Sequence, residues 1–429
     1  MKPIYYICIV LLVAITTSCQ EPSQVVTNSN DYVKYLSHNN HQNINETNKK
    51  LNFWNTKIKT DSIQLPAMIA VAGVYSEMFQ STGNIQFLKQ AEQVLVKSVK
   101  VAAIKKEGYL LALARNYISQ HRFKEAKNAA QGAYILNPNA SAKMVLFDVS
   151  MELGQYNEAK KYLEEIADQS KYNFLIRLAK WNDYKGDLDA TIRNMEKAKT
   201  IAEQSNKKGL MLWSYTNLAD YYGHAGRIKD SYDYYLKTLE IDPSNAYAMK
   251  GIAWIIYSYE HNPQEALRII DAVTESYQSP DYFLLKAEIA EFQKDHLTKK
   301  GNLIGYKYAI ADKRYGKMYN TYNAMLLAEE YQDFNKALEI AEEEIDNRPT
   351  PQSYDLKAHI LNLKGEHEKA LEIAEKFIIG KTFEPETQYH IAEIYKTNGF
   401  QNKVNTIKKE LIESAYELGP VLSQKIAKL

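Results

Sequence analysis

Residues 212–245, LWSYTNLADYYGHAGRIKDSYDYYLKTLEIDPSN, form the stretch that decides the fold. Apolar residues recur at three- and four-residue intervals on both sides of Gly226, which predicts two amphipathic helices joined by a tight turn. Glycine suits that turn because it tolerates positive φ at a helix C-terminus. Ser231 is small where the second helix crosses the first, and Pro243 cannot continue that helix. The stretch therefore predicts one helix-turn-helix unit.

The same unit recurs along most of the chain. A small residue marks each copy, at Ala91, Ala126, Ala159, Thr191, Ser231, Ala266, Ala337, Ala370 and Val404. Successive separations are 35, 33, 32, 40, 35, 71, 33 and 34 residues, and the interval of 71 has room for one degenerate copy. A period near 34 residues indicates a helical solenoid, in which each unit buries its apolar face against its neighbours.

The motif residues of the clearest copy resemble the tetratricopeptide repeat (TPR). They are Leu218, Ala219, Tyr222, Gly226, Ser231, Tyr235 and Pro243. The resemblance covers about residues 64–418 and implies an all-α fold, a right-handed superhelical solenoid of about nine TPR-like helix-turn-helix repeats. Lys299 takes the place of the small residue in the degenerate copy. That copy is either a distorted repeat or a break in the solenoid.

The N-terminus resembles the signal of a Gram-negative bacterial lipoprotein. Lys2 precedes an apolar stretch, residues 4–15, and small residues lead to Cys19, the predicted lipidation site. The alternative is an uncleaved anchor helix, but the apolar stretch is shorter than the ~20 residues that span a bilayer. The resemblance implies a lipid-anchored protein of the cell envelope. It favours the outer membrane and leaves the periplasmic or outward-facing leaflet open.

The sequence divides into seven segments. They are a signal peptide over 1–18, a flexible tether over 19–50, a first elongated repeat over 51–106, repeats over 107–280, the degenerate copy over 281–317, repeats over 318–407, and a C-terminal helix and cap over 408–429. A tether of this length has a reach of roughly 30 Å. Within it, residues 31–36 could form one short helix that docks elsewhere. The first repeat is expected to have a lengthened turn at residues 81–84.

Charge and cysteine content restrict the partners. The 53 basic and 52 acidic residues nearly cancel, whereas a nucleic-acid binder is expected to carry a basic excess. Cys8 and Cys19 both belong to the signal region, so no disulfide is expected in the mature protein. These features favour a protein partner and a membrane reached through the lipid. They argue against nucleic acid and leave a glycan possible.

In the family that the chain resembles, fixed positions of each first helix face the concave surface. Carried onto the central units, these positions predict a ligand groove formed by Lys180, Tyr184, Trp213, Asp220, His224, Tyr247, Lys250, Trp254 and Tyr257, with Asp183 and Thr216 beside them. Aromatic rings with interspersed charges suit an extended peptide, a partner helix or a glycan. The alternative is that several of these side chains face neighbouring helices instead, because a one-residue error rotates a side chain by about 100°.

No motif of catalysis or cofactor binding is recognisable. His38 and His41 have a spacing that two metal ligands can use, but they lie in the tether without a third ligand nearby. We therefore expect no catalytic site, cofactor or metal, and a non-enzymatic scaffold for protein–protein interactions. The alternative hypothesis is a glycan- or nutrient-capture lipoprotein built on TPR-like helices. Families of that kind interrupt their repeats with long insertions, which favours the scaffold here.

Overall fold

The computed structural model describes residues 25–37, 41–58 and 64–429, and these residues form helices and turns without a strand. The predicted signal peptide, Cys19 and His38 lie outside the described residues, as does the side chain of His41. Within the described part, every helix is too short or too polar to cross a membrane.

Two helices precede the solenoid, α1 (Ser29–Leu36) and α2 (His41–Asn55). Ten helix pairs follow, numbered here as units 1 to 10, each with a helix A and a helix B. Units 1 to 5 are α3 (Leu65–Thr82) with α4 (Ile85–Val101), α5 (Lys106–Ser119) with α6 (Phe123–Leu136), α7 (Ala140–Glu152) with α8 (Tyr156–Glu165), α9 (Tyr172–Tyr184) with α10 (Leu188–Ser205), and α11 (Lys208–His224) with α12 (Ile228–Ile241).

Units 6 to 10 continue the same pattern. They are α13 (Ala246–Trp254) with α14 (Pro263–Thr274), α15 (Asp281–Phe292) with α16 (His296–Ile310), α17 (Asn320–Glu329) with α18 (Phe334–Asn347), α19 (Pro351–Leu363) with α20 (His367–Phe377), and α21 (Pro385–Thr397) with α22 (Gln401–Glu413). A π-helical turn (Ile255–Tyr259) extends α13, a 3-10 turn (Lys313–Tyr315) follows unit 7, and α23 (Ala415–Ile426) ends the described chain. The predicted all-α solenoid is confirmed.

The turn between helix A and helix B is the same in units 2 to 10. In each, the residue five positions before the small-residue position has positive φ, namely His121, Gly154, Gly186, Gly226, His261, Lys294, Gln332, Gly365 and Gly399. All nine predicted small residues are fully buried. A close crossing of helix A and helix B requires a small, fully buried residue, because a larger side chain would push the two helix axes apart.

Two units differ from the sequence interpretation. Unit 7 is a regular helix pair, and Lys299 occupies its small-residue position, where its Nζ pairs with carboxylates of Glu291 and Glu330. These contacts stabilise the Lys299 charge at a helix crossing where a charged side chain would otherwise be unfavourable. In unit 1, Gly83 has positive φ and α4 begins two residues later, so the turn is not lengthened. Leu88 takes the small-residue position there, and Ala91 lies one helical turn further on.

The N-terminal segment, residues 25–36, which we call the strap, is docked on helices of the solenoid. The backbone amides of Val26 and Thr27 donate to Glu260 Oε1 over 2.8 and 2.7 Å, and Tyr32 Oη donates to Glu265 Oε1 over 2.6 Å. Tyr32 is buried in the same cluster as residues of α12 and α14. The short docking helix predicted over 31–36 is thus present as α1, whereas residues 41–50 of the predicted flexible tether form part of α2.

The solenoid winds back so that late units touch early ones along a line that we call the seam. The amide of Gln278 donates to the carbonyl of Thr82 over 2.7 Å, and Asn347 Nδ2 donates to the carbonyl of His121 over 3.0 Å. At Gly154, an added Cβ would lie 2.7 Å from the carbonyl oxygen of Pro349. Glycine therefore permits the two windings to meet there at backbone distance.

The C-terminal helix α23 crosses to the first winding as well as ending unit 10. The carbonyl of Tyr416 accepts hydrogen bonds from Trp254 Nε1 (3.1 Å) and Ser258 Oγ (2.6 Å). Gly419, with φ of 75°, lies against the Trp254 ring. The predicted cap over 408–429 differs in detail, since residue 408 falls inside α22 and Ile412 is exposed.

Candidate functional site

A cavity of about 640 Å³ opens along the seam, and we call it the seam cleft. One wall consists of the C-terminal ends of α7, α9 and α11, with Glu152, Lys180, Asp183, Tyr184 and His224, and of Tyr156 at the start of α8. The other wall consists mainly of the segments that begin α19, α21 and α23, with Arg348, Asp355, Phe383, Glu384, Glu386, His390 and Glu417. Helix C-termini therefore face helix N-termini across the cleft.

An ion-paired contact around Glu152 joins the two walls, and we call this part of the cleft the closed end and the part lined by Asp183, Glu384, Glu386 and Glu417 the open end. Glu152 Oε1 lies 2.8 Å from Lys180 Nζ, and Glu152 Oε2 lies 3.3 Å from Arg348 Nη1. Burial raises the pKa of the Glu152 carboxyl, but the two cations outweigh it and lower that pKa overall. Charge at this end is compensated.

The middle of the cleft has a buried carboxylate–histidine pair. Asp355 Oδ2 lies 2.8 Å from His390 Nδ1 and accepts from Thr387 Oγ1 over 3.2 Å. Burial opposes protonation of His390, yet the Asp355 carboxylate raises the pKa of His390 to about 9. The neighbouring ring of His359 stacks on His390 with centroids 3.8 Å apart, and burial and this cation lower the pKa of His359.

The open end has carboxylates with little compensation. Asp183, Glu384, Glu386 and Glu417 line it, and His224 Nδ1 lies 3.9 Å from Glu417 Oε2. Burial raises the pKa of Glu384, and the charges of Glu417 and Asp183 raise it further. Burial raises the pKa of Glu417 and of Asp183 as well. Negative charge is thus held here at a cost.

Aromatic rings surround one mouth of the cleft, in an adjoining groove of about 350 Å³ that we call the aromatic mouth. Tyr156 stacks on Tyr184 and Tyr354 stacks on Phe377, both with centroids 4.0 Å apart. The Phe383 ring lies over Gly186, where an added Cβ would be 2.8 Å from it, and Phe383 is still 62% exposed. Exposed rings at a concave surface are typical of binding sites.

The structure brings three of the predicted groove residues together in the cleft, Lys180, Tyr184 and His224, with Asp183 beside them. The remaining six lie elsewhere. Trp213 and Tyr247 are exposed at 41% and 55%, and Trp213 packs edge-on against Tyr172. They do not line the seam cleft.

The other four predicted residues are engaged inside the protein. Tyr257 is fully buried and donates to Glu288, so it does not face a groove. Trp254 is covered by α23, as described above. Asp220 accepts from Tyr235 and Tyr247, and Lys250 pairs with Asp281 across 2.6 Å. At these four positions the predicted groove is therefore corrected, because the chain itself engages the side chains, while Trp213 and Tyr247 remain exposed.

Sequence reasoning missed the residues of the opposite wall. Arg348, Asp355, Phe383, Glu384 and His390 come from units 9 and 10, far along the chain from the predicted groove. Pro351 and Pro385 at the first helical positions mark where those helices begin, but nothing local indicates that these helix starts face units 3 to 5.

Metal binding finds no support in the described part of the chain, where no group of three or more His, Cys, Asp or Glu is placed to hold an ion. The titratable groups of the cleft lie among charged and aromatic neighbours suited to recognition. The expectation that the chain is not an enzyme remains a prediction.

Comparison with known proteins agrees with the fold. The sequence model of the tetratricopeptide repeat matches residues 214–245, so the chain contains at least one repeat of this family. No curated protein matches the chain.

Solved structures with similar folds include three helical-repeat proteins. A human IFIT1 dimer with m7Gppp-AAAA has 16% identity over 77% of this chain and 75% of that chain, with a TM-score of 0.47. A tetratricopeptide repeat protein from Parabacteroides merdae has 14% identity over 57% and 93%, with a TM-score of 0.39. Yeast Tom70 has 13% identity over 85% and 99%, with a TM-score of 0.36. At these identities the similarity extends to the fold alone.

Proposed function

We propose that the chain is a non-catalytic scaffold, anchored to a bacterial envelope membrane through a lipid on Cys19, that holds a segment of a partner protein in the seam cleft. The observation that supports this most is the aromatic mouth, where Phe383 presents an exposed ring beside uncompensated polar groups. Such rings are the usual anchors of protein interfaces. The repeat fold itself suggests a protein-interaction scaffold.

The docked strap changes how the anchor would work. The stretch between Cys19 and Val25 spans at most about 20 Å, at roughly 3.5 Å a residue. Because the strap is fixed from Val25 onward, the solenoid would stay close to the membrane with units 5 and 6 nearest to the anchor. The support for the lipid is the sequence around Cys19, and the outer membrane is the proposed location.

The anchor is tested by replacing Cys19 with Ser in the full-length protein. We expect the wild type in the membrane fraction and the Cys19→Ser protein outside it, because a single sulfur carries the lipid. Cys8→Ser is the matched control and should remain membrane-bound. Membrane association of Cys19→Ser after a high-salt wash would contradict the lipid anchor.

The partner site is tested by crosslinking from native membranes, comparing the wild type with Phe383→Ala. The matched control is Ile135→Ala, which removes another exposed apolar side chain, 81% exposed on α6. We expect one defined protein to be crosslinked by the wild type and the control, and at least tenfold less by Phe383→Ala. If all three proteins, each with unchanged melting temperature, recover the partner equally, the cleft is not the binding site.

Glycan capture is the second candidate, and the stacked rings favour it. The parallel rings of Tyr354 and Phe377, 4° apart, resemble the flat apolar surfaces on which sugars stack. If the wild type crosslinks no protein and the purified protein binds a polysaccharide that Phe383→Ala does not bind, the capture function replaces the scaffold.

A further inference from the structure

We infer that the open end of the seam cleft receives an ammonium or guanidinium group, carried by a basic segment of the partner protein. The inference rests on the proposed function and names the chemistry of the segment that the cleft would hold.

The first support is the charge of the cleft walls. Among the described residues that line the cavity, six are carboxylates and only Lys180 and Arg348 are permanent cations. Both cations pair with Glu152 at the closed end. The carboxylates of Asp183, Glu384 and Glu386 have no side-chain hydrogen bond or ion pair within the described part of the structure, and Glu417 has only the distant contact with His224. The cleft therefore has an unmatched negative end.

The second support is a buried oxygen in the same wall. Asp355 is 5% exposed and uses Oδ2 for His390 and Thr387, while its Oδ1 has no hydrogen-bond partner in the described residues. A buried carboxylate oxygen without a donor is costly, and native proteins rarely leave one unexplained. Asp355 lines the cleft, so a donor group that enters it and displaces the atoms covering Oδ1 would find an acceptor there.

Helix geometry does not explain the charge at the open end. Glu384 and Glu386 lie at the N-terminus of α21, where a carboxylate is favoured, but Asp183 is in the last turn of α9, where the helix dipole disfavours it. Burial raises the pKa of Glu384 and repulsion from Glu417 and Asp183 raises it further, and a cation bound between the walls offsets that repulsion. A basic side chain thus gains Coulomb energy in the partly desolvated cleft, and an acidic segment is repelled.

The aromatic mouth suits the same ligand. Cations bind favourably over tyrosine and phenylalanine faces, and Lys381 already lies 5.7 Å from the Phe377 ring centroid there. A basic segment that enters past Phe383 would contact the rings and the neighbouring carboxylates of the open end.

The test is calorimetric titration of the full-length protein in detergent with three short peptides. They are Ac-Gly-Lys-Pro-Lys-Gly-NH2 and its analogues with norleucine or glutamate in place of both lysines. We expect the lysine peptide to bind at least tenfold tighter than either analogue. Near pH 4.5, close to the ordinary pKa of glutamate, its binding should release protons, seen as a heat that depends on the buffer's ionisation enthalpy, because the cation stabilises ionised carboxylates whose pKa is raised. Equal binding of all three peptides, or no binding of the lysine peptide, would overturn the inference.

Substitutions of the carboxylates test which of them bind the lysine side chain. Glu384→Gln/Glu417→Gln should lose the preference for lysine over norleucine, while Glu339→Gln, an exposed carboxylate on α18, should keep it. An unchanged preference in the double variant overturns the site. If the double variant does not fold, Asp183→Asn replaces it, and the peptide series on the wild type needs no variant. Spermidine that binds more tightly than the lysine peptide would show a free polyamine as ligand and overturn the peptide source.

Failure of this inference is separable from failure of the proposed function. If crosslinking recovers a partner that Phe383→Ala loses but the charge variants retain, the scaffold stands and the basic segment does not. If no partner is recovered while the lysine preference holds, the scaffold falls and the charge preference of the cleft stands.

Discussion

The two ends of the seam cleft are built from the same kinds of helix termini but treat charge in opposite ways. At the closed end, Glu152 is neutralised by Lys180 and Arg348, and the windings touch at backbone distance beside Gly154. At the open end, burial raises the pKa of Glu384, and the charges of Glu417 and Asp183 raise it further.

This difference separates the part of the seam that stabilises the fold from the part that is available to a ligand. Closing a seam requires paired charges and close packing, because an unpaired buried charge costs several kcal/mol. Carboxylates without partners repel one another and destabilise the fold slightly. Their presence at the open end suits a surface that binds a ligand. Substitutions at the two ends should therefore change stability in opposite directions.

The largest effect is expected from Gly154→Ala at the closed end. Positive φ and a Cβ 2.7 Å from the Pro349 carbonyl should together cost about 2–4 kcal/mol of unfolding free energy. Gly226→Ala is the matched control, because Gly226 has similar φ (+71°) and nothing within 4 Å of an added Cβ. It should cost only about 1 kcal/mol in urea unfolding. Equal costs for the two would mean that the windings do not meet at Gly154.

Arg348→Ala should have the next largest effect. It leaves Glu152 with one cation and removes the only ion pair given to the buried Glu344, 3.5 Å away, in the described chain. We expect a loss of about 2 kcal/mol, below the value for a fully buried pair because Arg348 is partly exposed. Lys369→Ala breaks an exposed pair with Glu366 and should leave urea unfolding unchanged. A stable Arg348→Ala protein would show that the closed end does not depend on charge.

The Asp355–His390 pair, which lies between the two ends of the cleft, predicts that the unfolding free energy depends on pH. The pKa of His390 is about 9 in the folded protein and near 6.5 when unfolded, so its stabilisation is complete below pH 6.5 and is lost as pH rises through 9. Unfolding free energy of the wild type should fall by about 3 kcal/mol between pH 6 and pH 9.5 from this group. His390→Gln should remove that part of the decrease. The same decrease in both proteins would assign it to other groups.

The smallest effect, with the opposite sign, is expected at the open end. Glu384→Gln removes a repelled charge and should stabilise the protein at pH 7 by at most about 0.5 kcal/mol, since the side chain is solvent-accessible. The gain should vanish at pH 3, where the glutamate is protonated in both states. Destabilisation by Glu384→Gln at pH 7 would mean that this carboxylate has a structural partner, and the contrast between the two ends would then be lost.

The period of the sequence predicted what is local to each unit. The small residues and the glycine turns follow from contacts within about 34 residues, so they could be located directly, as at Gly226 and Ser231. Where a unit departs from the pattern, nearby residues stabilise the departure, and the repeat period does not reveal them. Lys299 has two carboxylates beside it, and positive φ at His121 or Gln332 replaces glycine.

The site could be predicted only in part, because it forms between windings. Small rotations from unit to unit accumulate over about six repeats before Glu152 meets Arg348, and a sequence pattern does not define their sum. Three residues of one wall, Lys180, Tyr184 and His224, followed from inward positions of helix A. The closure of α23 over Trp254 and the docking of the strap depend on contacts between residues 160 or more apart, and these escaped the repeat pattern.

The strap also determines how the molecule carries force. A pull on the chain ahead of Val25 reaches the solenoid at Glu260, near its middle, through the amides of Val26 and Thr27. Units 1 to 4 bear no tension while those hydrogen bonds and the Tyr32–Glu265 bond hold. Under load the protein therefore behaves as a lever pivoting on units 5 and 6, and it becomes a spring extended from its first unit only after the strap has peeled away.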